Sequence, residues 1–261
     1  MKELRNKIVN FYYDKKILST IVFAFLFSFV IVTLMSSTAS FLYPLAGFSE
    51  YYTDSNIFFY IGRMLNHGAV PYKDVFDHKG LYLFYYMQLG TVGNTKFVLY
   101  LMQLLFYTVT VSFMLLTLRE CKIRLKTSLV ALTLFSFILI VSALSVSDFE
   151  IQYPFVAATL FYFTKYVVHE NKKDLFVGSI LAGISAGVAI NIRASDVMVG
   201  FAFYLFAIVE LLRKKNIKDF LLLSLVTLLS VVVIASPAFL IAYSKGFLNE
   251  MFEATILDNF K

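Results

Sequence analysis

The 261-residue chain is 59% hydrophobic and only 15% charged, with a formal net charge of +6. A soluble domain carries about 25% charged residues, so this composition excludes an ordinary water-soluble protein and favours one embedded in a membrane. The single cysteine, Cys121, excludes an internal disulfide framework and a paired-cysteine metal site. The basic residues do not indicate nucleic-acid binding, because they lie in short segments beside long apolar runs.

Seven apolar runs predict membrane-spanning helices. A helix needs about 20 apolar residues to cross the hydrocarbon layer. Within a few residues at each end, we expect spans at 17–36, 96–118, 127–146, 153–168, 175–192, 197–212 and 219–243. The predicted fold class is therefore all-α, a polytopic transmembrane bundle of about seven spans. The whole chain, 1–261, is predicted to form this one domain.

Lysine and arginine predict the orientation of the bundle. Short cytoplasmic segments beside membrane spans are enriched in these residues. Basic clusters occur in the N-terminal segment and at 119–126, 165–174 and 213–218. If all four are cytoplasmic, the segments 37–95, 147–152, 193–196 and the C-terminal tail face outward. We therefore expect a multi-pass plasma-membrane protein with a cytoplasmic N-terminus.

The apolar segment 81–93 does not fit this series of spans. It is too short to cross a layer of roughly 30 Å as a helix. A crossing here would also place the basic turn 119–126 outside. We expect instead a juxtamembrane or half-inserted helix on the outer face.

The first outer segment, 37–80, is the long hydrophilic stretch of the chain. Its apolar residues recur at helical spacing, which predicts an amphipathic helix lying along the membrane surface. The predicted apolar stripe consists of Ile57, Phe58, Ile61, Met64 and Leu65. Asp54 or Ser55 would begin this helix and Gly68 would end it.

Polar residues of this loop are the first candidates for chemistry. Asp54 is either a helix cap or a carboxylate that takes a proton from an attacking hydroxyl or amine. Lys79 is either an interfacial lysine or a charge partner for a lipid phosphate. His78, Asp74 and Asp77 are candidates for lining a site. The two aspartates alone do not make a metal site, so a divalent cation stays open as a cofactor that the sequence does not require.

Two stretches of this loop resemble a known family. They are Asp54-Ser55 with Phe58-Phe59-Tyr60-Ile61-Gly62, and then Gly68 to Gly80, GAVPYKDVFDHKG. Together they resemble the first outer loop of GT-C-fold glycosyltransferases, in the bacterial protein mannosyltransferase-like group (family 39 and RgtA/B/C/D-like proteins). The resemblance implies a GT-C-like fold and a polyprenyl-phosphate-linked sugar donor. The sugar would pass on the outer face to a cell-envelope glycan, lipid or protein.

Residue roles follow from the same resemblance. Asp54 occupies the position of the catalytic acidic residue, and Lys79 falls where relatives carry a basic residue near the donor phosphate. Arg63 and Arg193 are further candidates for binding that phosphate, although Arg193 is equally an interfacial charge paired with Asp196. Glu150, in the second outer loop, would line the cavity or remain an exposed acid.

The chain also departs from its relatives. Many of them carry Asp-Glu where this chain has Asp54-Ser55, so a two-carboxylate site is not expected here. Relatives are usually much longer, which predicts that this chain is an N-terminal portion of a larger transferase or a shortened homologue.

Other functions remain open at this point. A non-catalytic transporter or flippase would place polar groups near the bilayer midplane, whereas the predicted spans are almost uncharged and favour an interfacial enzyme. A scaffold subunit of a glycan-assembly complex is a second alternative. A polymerase or ligase of lipid-linked glycans would have its main outer loop nearer the C-terminus.

Overall fold

A computed structural model describes residues 16–35, 54–142, 151–213 and 216–260. The described residues form ten α-helices and no sheet. In chain order these helices are α1 Lys16–Met35, α2 Asp54–Asn66, α3 Leu81–Gly90, α4 Phe97–Glu120, α5 Leu125–Ser142, α6 Tyr153–His169, α7 Lys172–Ile190, α8 Val197–Arg213, α9 Ile217–Ser244 and α10 Leu248–Thr255.

The seven predicted spans are all helical, which confirms the all-α membrane bundle. Among the described residues, five of them are long and apolar enough to cross a membrane: α1, α4, α7, α9, and α8 together with the 3-10 turn before it, Ala194–Arg213. The helices α5 and α6 have 18 and 17 residues, about 26 Å at 1.5 Å per residue. The described part of the chain thus contains five of the about seven expected spans by length and apolarity, while the side chains at the end of α5 and residues 143–150 lie outside that part.

The long helices pack in the sequence α1, α4, α6, α7, with α8 and α9 both against α7. The helices approach one another most closely where their residues are small. A Cβ atom on Gly183 of α7 would lie 2.7 Å from the Cβ of Ser230 on α9. Helices in lipid gain their attraction from such close van der Waals contact, because lipid tails are as apolar as the side chains.

The predicted helix in segment 81–93 is present as α3, followed by a 3-10 turn at Val92–Asn94. Its ten residues are too short to span. Leu81, Leu83, Phe84 and Met87 are buried, in one core with residues of α2, α4, α7, α9 and α10. The helix is therefore enclosed by protein on several sides, since the predicted outer loop and α10 fold over it.

The predicted amphipathic helix is α2. Phe58, Ile61 and Leu65 are buried, and the helix packs on α3. Ile57, which we placed in the apolar stripe, is 51% exposed. The protein thus buries three of the five stripe residues, and the exposed Ile57 stays available to the membrane surface along which this helix is predicted to lie.

The segments predicted to be cytoplasmic meet at one end of the bundle. Glu120 of α4 contacts Lys16 of α1 at 2.5 Å and His169 of α6 at 3.0 Å. Lys172 of α7 pairs with Asp219 of α9 at 2.5 Å. These contacts join the helix ends that the charge pattern assigns to one side, so the helices alternate in direction as the sequence predicts.

Asp174→Asn is expected to destabilise this end of the bundle. The Asp174 side chain is only 8% exposed and accepts a hydrogen bond from Lys165 Nζ at 2.9 Å. Asparagine keeps the shape but removes the charge, which costs about 2 kcal/mol at a charged hydrogen bond. Thermal unfolding in detergent should therefore show a lower Tm.

The matched control is Glu250→Gln, which removes the carboxylate from a pair with Lys73, whose side chains are 40% and 42% exposed. Exposed ion pairs contribute little to stability, so its Tm should change little. Equal Tm values for the two variants would contradict this interpretation.

Candidate active site

The loop between α2 and α3, the predicted first outer loop, is fixed to the far end of α7 by backbone pairing. Gly80 N donates to the Ile192 carbonyl at 2.8 Å, and Tyr82 N donates to the Asn191 carbonyl at 2.9 Å. Lys79 precedes the first of these paired residues, and Arg193 follows Ile192. The fold thus brings together two basic residues that lie far apart in the sequence.

Gly80 permits this pairing because it has no side chain. A Cβ atom there would lie 2.6 Å from the Asn191 Cα and closer still to the Asn191 carbonyl group. Its backbone angles, φ −76° and ψ 163°, are open to any residue. Glycine is therefore needed for the close approach of two backbones.

Lys79 is held by hydrogen bonds at both its backbone N–H and its backbone carbonyl. Its N–H donates to Asp77 Oδ1 at 3.0 Å, and its carbonyl accepts from the Tyr72 hydroxyl at 2.8 Å. Asp74 is engaged in the same loop, where Oδ2 accepts from Val70 N at 2.7 Å. These contacts give Asp74 and Asp77 a part in shaping the loop that presents Lys79.

Tyr72 anchors the loop from within the core. It is 6% exposed, its ring packs edge-on against Phe84, and its φ of 64° lies in the left-handed region. Burial, together with the charge of Asp77, raises the pKa of the Tyr72 hydroxyl well above its usual value. The hydroxyl therefore stays protonated and acts as a donor at neutral pH.

Tyr72→Phe is expected to loosen Lys79 without emptying the core. The ring stays, but the Lys79 carbonyl loses its donor, at a cost of about 1 kcal/mol. We expect a small fall in Tm and a weaker apparent affinity for the donor substrate. Tyr60→Phe, at a position 58% exposed, is the matched control. Identical donor affinity in both variants would remove Tyr72 from this role.

Two buried polar residues connect the helix ends around this site. Asn191 is 2% exposed, and its Nδ2 donates to the carbonyls of Gly187 at 3.3 Å and Ala235 at 3.2 Å. Gln152, 3% exposed, donates to Ser185 Oγ and to the Asp196 carbonyl, both at 3.2 Å. The end of the predicted second outer loop and the turn after Arg193 are thereby joined.

Sequence reasoning missed Tyr72, Asn191 and Gln152 as parts of the site. Asn191 and Gln152 each stand at a helix end, where a polar residue is the ordinary expectation. The available signal was their place two residues from Glu150 and Arg193: Gln152 lies in the predicted outer segment 147–152, and Asn191 lies at the end of the predicted span 175–192.

Two of the predicted site residues, Arg63 and His78, contact aromatic rings instead of Lys79 or Arg193. Arg63 is exposed on α2, with its guanidinium carbon 6.0 Å from the centre of the Phe59 ring. His78 is also exposed, with its ring 5.3 Å from that of Phe76. Neither contact involves Lys79 or Arg193.

The structure does not describe the side chains of the predicted catalytic carboxylate, Asp54, and of Glu150, which was predicted to line the cavity or remain an exposed acid. Asp54 is the first residue of α2, but its side chain lies outside the described part of the structure, and Glu150 lies outside the described residues altogether. Among the side chains that are described, no three His, Cys, Asp or Glu residues are grouped so as to hold a metal ion.

One comparison with known proteins gives a match. A family model described as dolichyl-phosphate-mannose-protein mannosyltransferase matches residues 78–240, more than half of the chain. The match contains His78, Lys79, Glu150 and Arg193 and begins after Asp54, Arg63, Asp74 and Asp77. Neither a curated protein nor a solved structure matches the chain.

Proposed function

The chain belongs to the dolichyl-phosphate-mannose-protein mannosyltransferase family, and we propose that it transfers a sugar from a polyprenyl-phosphate-linked donor to a cell-envelope glycan, lipid or protein. Family membership makes it a membrane glycosyltransferase of the mannosyltransferase type. The five helices that could cross a membrane agree with this class.

The pairing of Gly80 and Tyr82 with Ile192 and Asn191 is the observation that carries the proposal. It fixes the backbone beside Lys79 and Arg193 at the same end of the bundle. A sugar that leaves a lipid phosphate transfers its bonding electrons to that phosphate. Cationic groups held in place before the reaction stabilise this growing negative charge without rearranging.

The proposed reaction is an inverting displacement. The acceptor oxygen or nitrogen attacks the anomeric carbon of the sugar, and the bond from that carbon to the phosphate oxygen breaks. Asp54 takes the proton that the acceptor loses. The polyprenyl phosphate leaves with the electron pair, and Lys79 and Arg193 neutralise its charge.

The proposed active face is extracytoplasmic. Support comes from the basic segments, which meet at the end of the bundle opposite Lys79 and Arg193, where Lys16, His169 and Lys172 make their ion pairs. The positive-inside rule assigns that end to the cytoplasm. The N-terminus would then be cytoplasmic, and the plasma membrane is the proposed location.

Lys79→Met and Arg193→Gln test the phosphate role. Loss of one charged hydrogen bond to phosphate, about 1.5 kcal/mol or more, corresponds to roughly a tenfold weaker donor affinity. We therefore expect the KM for a polyprenyl-phosphate sugar to rise about tenfold in each variant.

Lys245→Met is the matched control, because Lys245 is exposed beyond the outer end of α9, where it lies over the Tyr85 ring. Its kinetics should equal those of the wild type. If Lys79→Met and Arg193→Gln behave like this control, neither residue binds the donor phosphate.

A further inference from the structure

At the end of the bundle opposite the candidate active site, α7 and α9 leave an open groove of about 430 Å³. Its mouth carries Lys172, Lys173 and Asp219. Its walls are apolar and consist of Leu175, Phe176, Val177, Leu222 and Leu223. The groove thus combines a charged rim with a hydrocarbon lining.

The groove lies where a membrane surface would meet the bundle. Lys172 and Ile217 are the first residues of two helices that are long and apolar enough to cross a membrane. The wall residues follow within about two turns, so the walls run from the surface into the hydrocarbon layer. Phe176 and Leu222 are 36% and 50% exposed, which leaves their side chains available to a lipid chain.

The rim keeps positive charge after its ion pairs are made. Lys172 Nζ contacts Asp219 Oδ2 at 2.5 Å. Asp219 is the acidic residue among those that line the groove. Lys173 supplies a second ammonium group, and Lys218 is adjacent to Asp219 in the chain. The neighbouring Asp174 is buried and pairs with Lys165. An anion is therefore attracted to the rim.

We propose that this groove binds an anionic phospholipid. The phosphate group would lie between Lys172 and Lys173, with an acyl chain along Phe176 and Leu222. Basic pockets between transmembrane helices on the cytoplasmic side bind anionic lipid head groups in this way. The apolar walls favour a lipid over free phosphate, because only a lipid covers them. This site is separate from the one for the sugar donor, and its test does not depend on transferase activity.

Native mass spectrometry of the purified protein, released from phosphatidylcholine nanodiscs with a small fraction of phosphatidylglycerol, measures retention of the anionic lipid. The wild type should retain phosphatidylglycerol in preference to phosphatidylcholine. Each lysine near the surface contributes about a fivefold increase in affinity. The double variant Lys172→Gln/Lys173→Gln should therefore bind phosphatidylglycerol roughly 25-fold more weakly.

Lys122→Gln/Lys126→Gln is the matched control, because it removes the same charge from exposed positions at the same end of the bundle. It should retain the lipid like the wild type. Equal loss in both double variants would overturn the proposal in favour of general surface attraction. Full displacement of the lipid by excess inorganic phosphate would also overturn it. If the first double variant does not fold, Lys173→Gln alone should weaken retention about fivefold.

Discussion

Replacing Asp54 by asparagine should reduce sugar transfer by at least about 100-fold, the lower range for loss of a general base. Asparagine has nearly the same shape but cannot take the acceptor's proton. Asp54 is the first residue of α2, where asparagine also serves as a helix cap, so the fold should be preserved. The assay is transfer from a polyprenyl-phosphate sugar by purified protein in lipid, with Tm measured alongside.

Glu253→Gln is the control for this substitution, because Glu253 is an exposed carboxylate on α10. Its turnover and Tm should equal those of the wild type. Near-normal turnover in Asp54→Asn would contradict the base assignment, and a strongly lowered Tm would mean that the lost transfer reflects unfolding and not a missing base. The family match begins at residue 78, so this experiment tests a role that only the resemblance of the loop suggests.

Gly80→Ala should have the second large effect, on both stability and transfer. The added methyl group would collide with the backbone of Asn191, which cannot move aside as a flexible side chain could. Overpacking typically costs about 1–3 kcal/mol, and here it would also separate Lys79 from Arg193. We expect a Tm lower by several degrees and transfer reduced at least about tenfold, measured per folded molecule.

Gly93→Asn provides the matched control. Gly93 has a φ of 72°, which asparagine tolerates, and a Cβ atom there would meet no atom within 4 Å. Its Tm and transfer rate should stay close to those of the wild type. If Gly80→Ala is as harmless as Gly93→Asn, the backbone pairing is not needed for the site.

The helices could be predicted because the sequence pattern that identifies each of them lies within the helix itself and the segments beside it. Long apolar runs identify spans from composition alone, and the seven predicted segments coincide with α1 and α4 to α9. The basic segments predicted which helix ends meet, as the contacts of Glu120 with Lys16 and His169 show. Both signals arise from partition between lipid and water, which depends on nearby residues only.

The site depends on contacts that the sequence does not encode locally. Nothing in the residues around Gly80 indicates that it packs against Asn191, since that contact forms only when α7 and the loop are assembled. The same applies to α3, whose burial depends on α10 and the outer loop. Helical spacing predicts the apolar stripe of α2 but not which of its residues the protein covers, so the exposure of Ile57 could not be predicted from the sequence.

The most direct test of the proposed function is the choice of sugar donor. The purified protein in proteoliposomes is offered mannose on a polyprenyl phosphate and, separately, mannose on a nucleoside diphosphate, with cell-envelope material as acceptor. The account predicts transfer from the lipid-linked sugar and none from the nucleotide sugar. Transfer from the nucleotide sugar alone, or from neither donor, would contradict it.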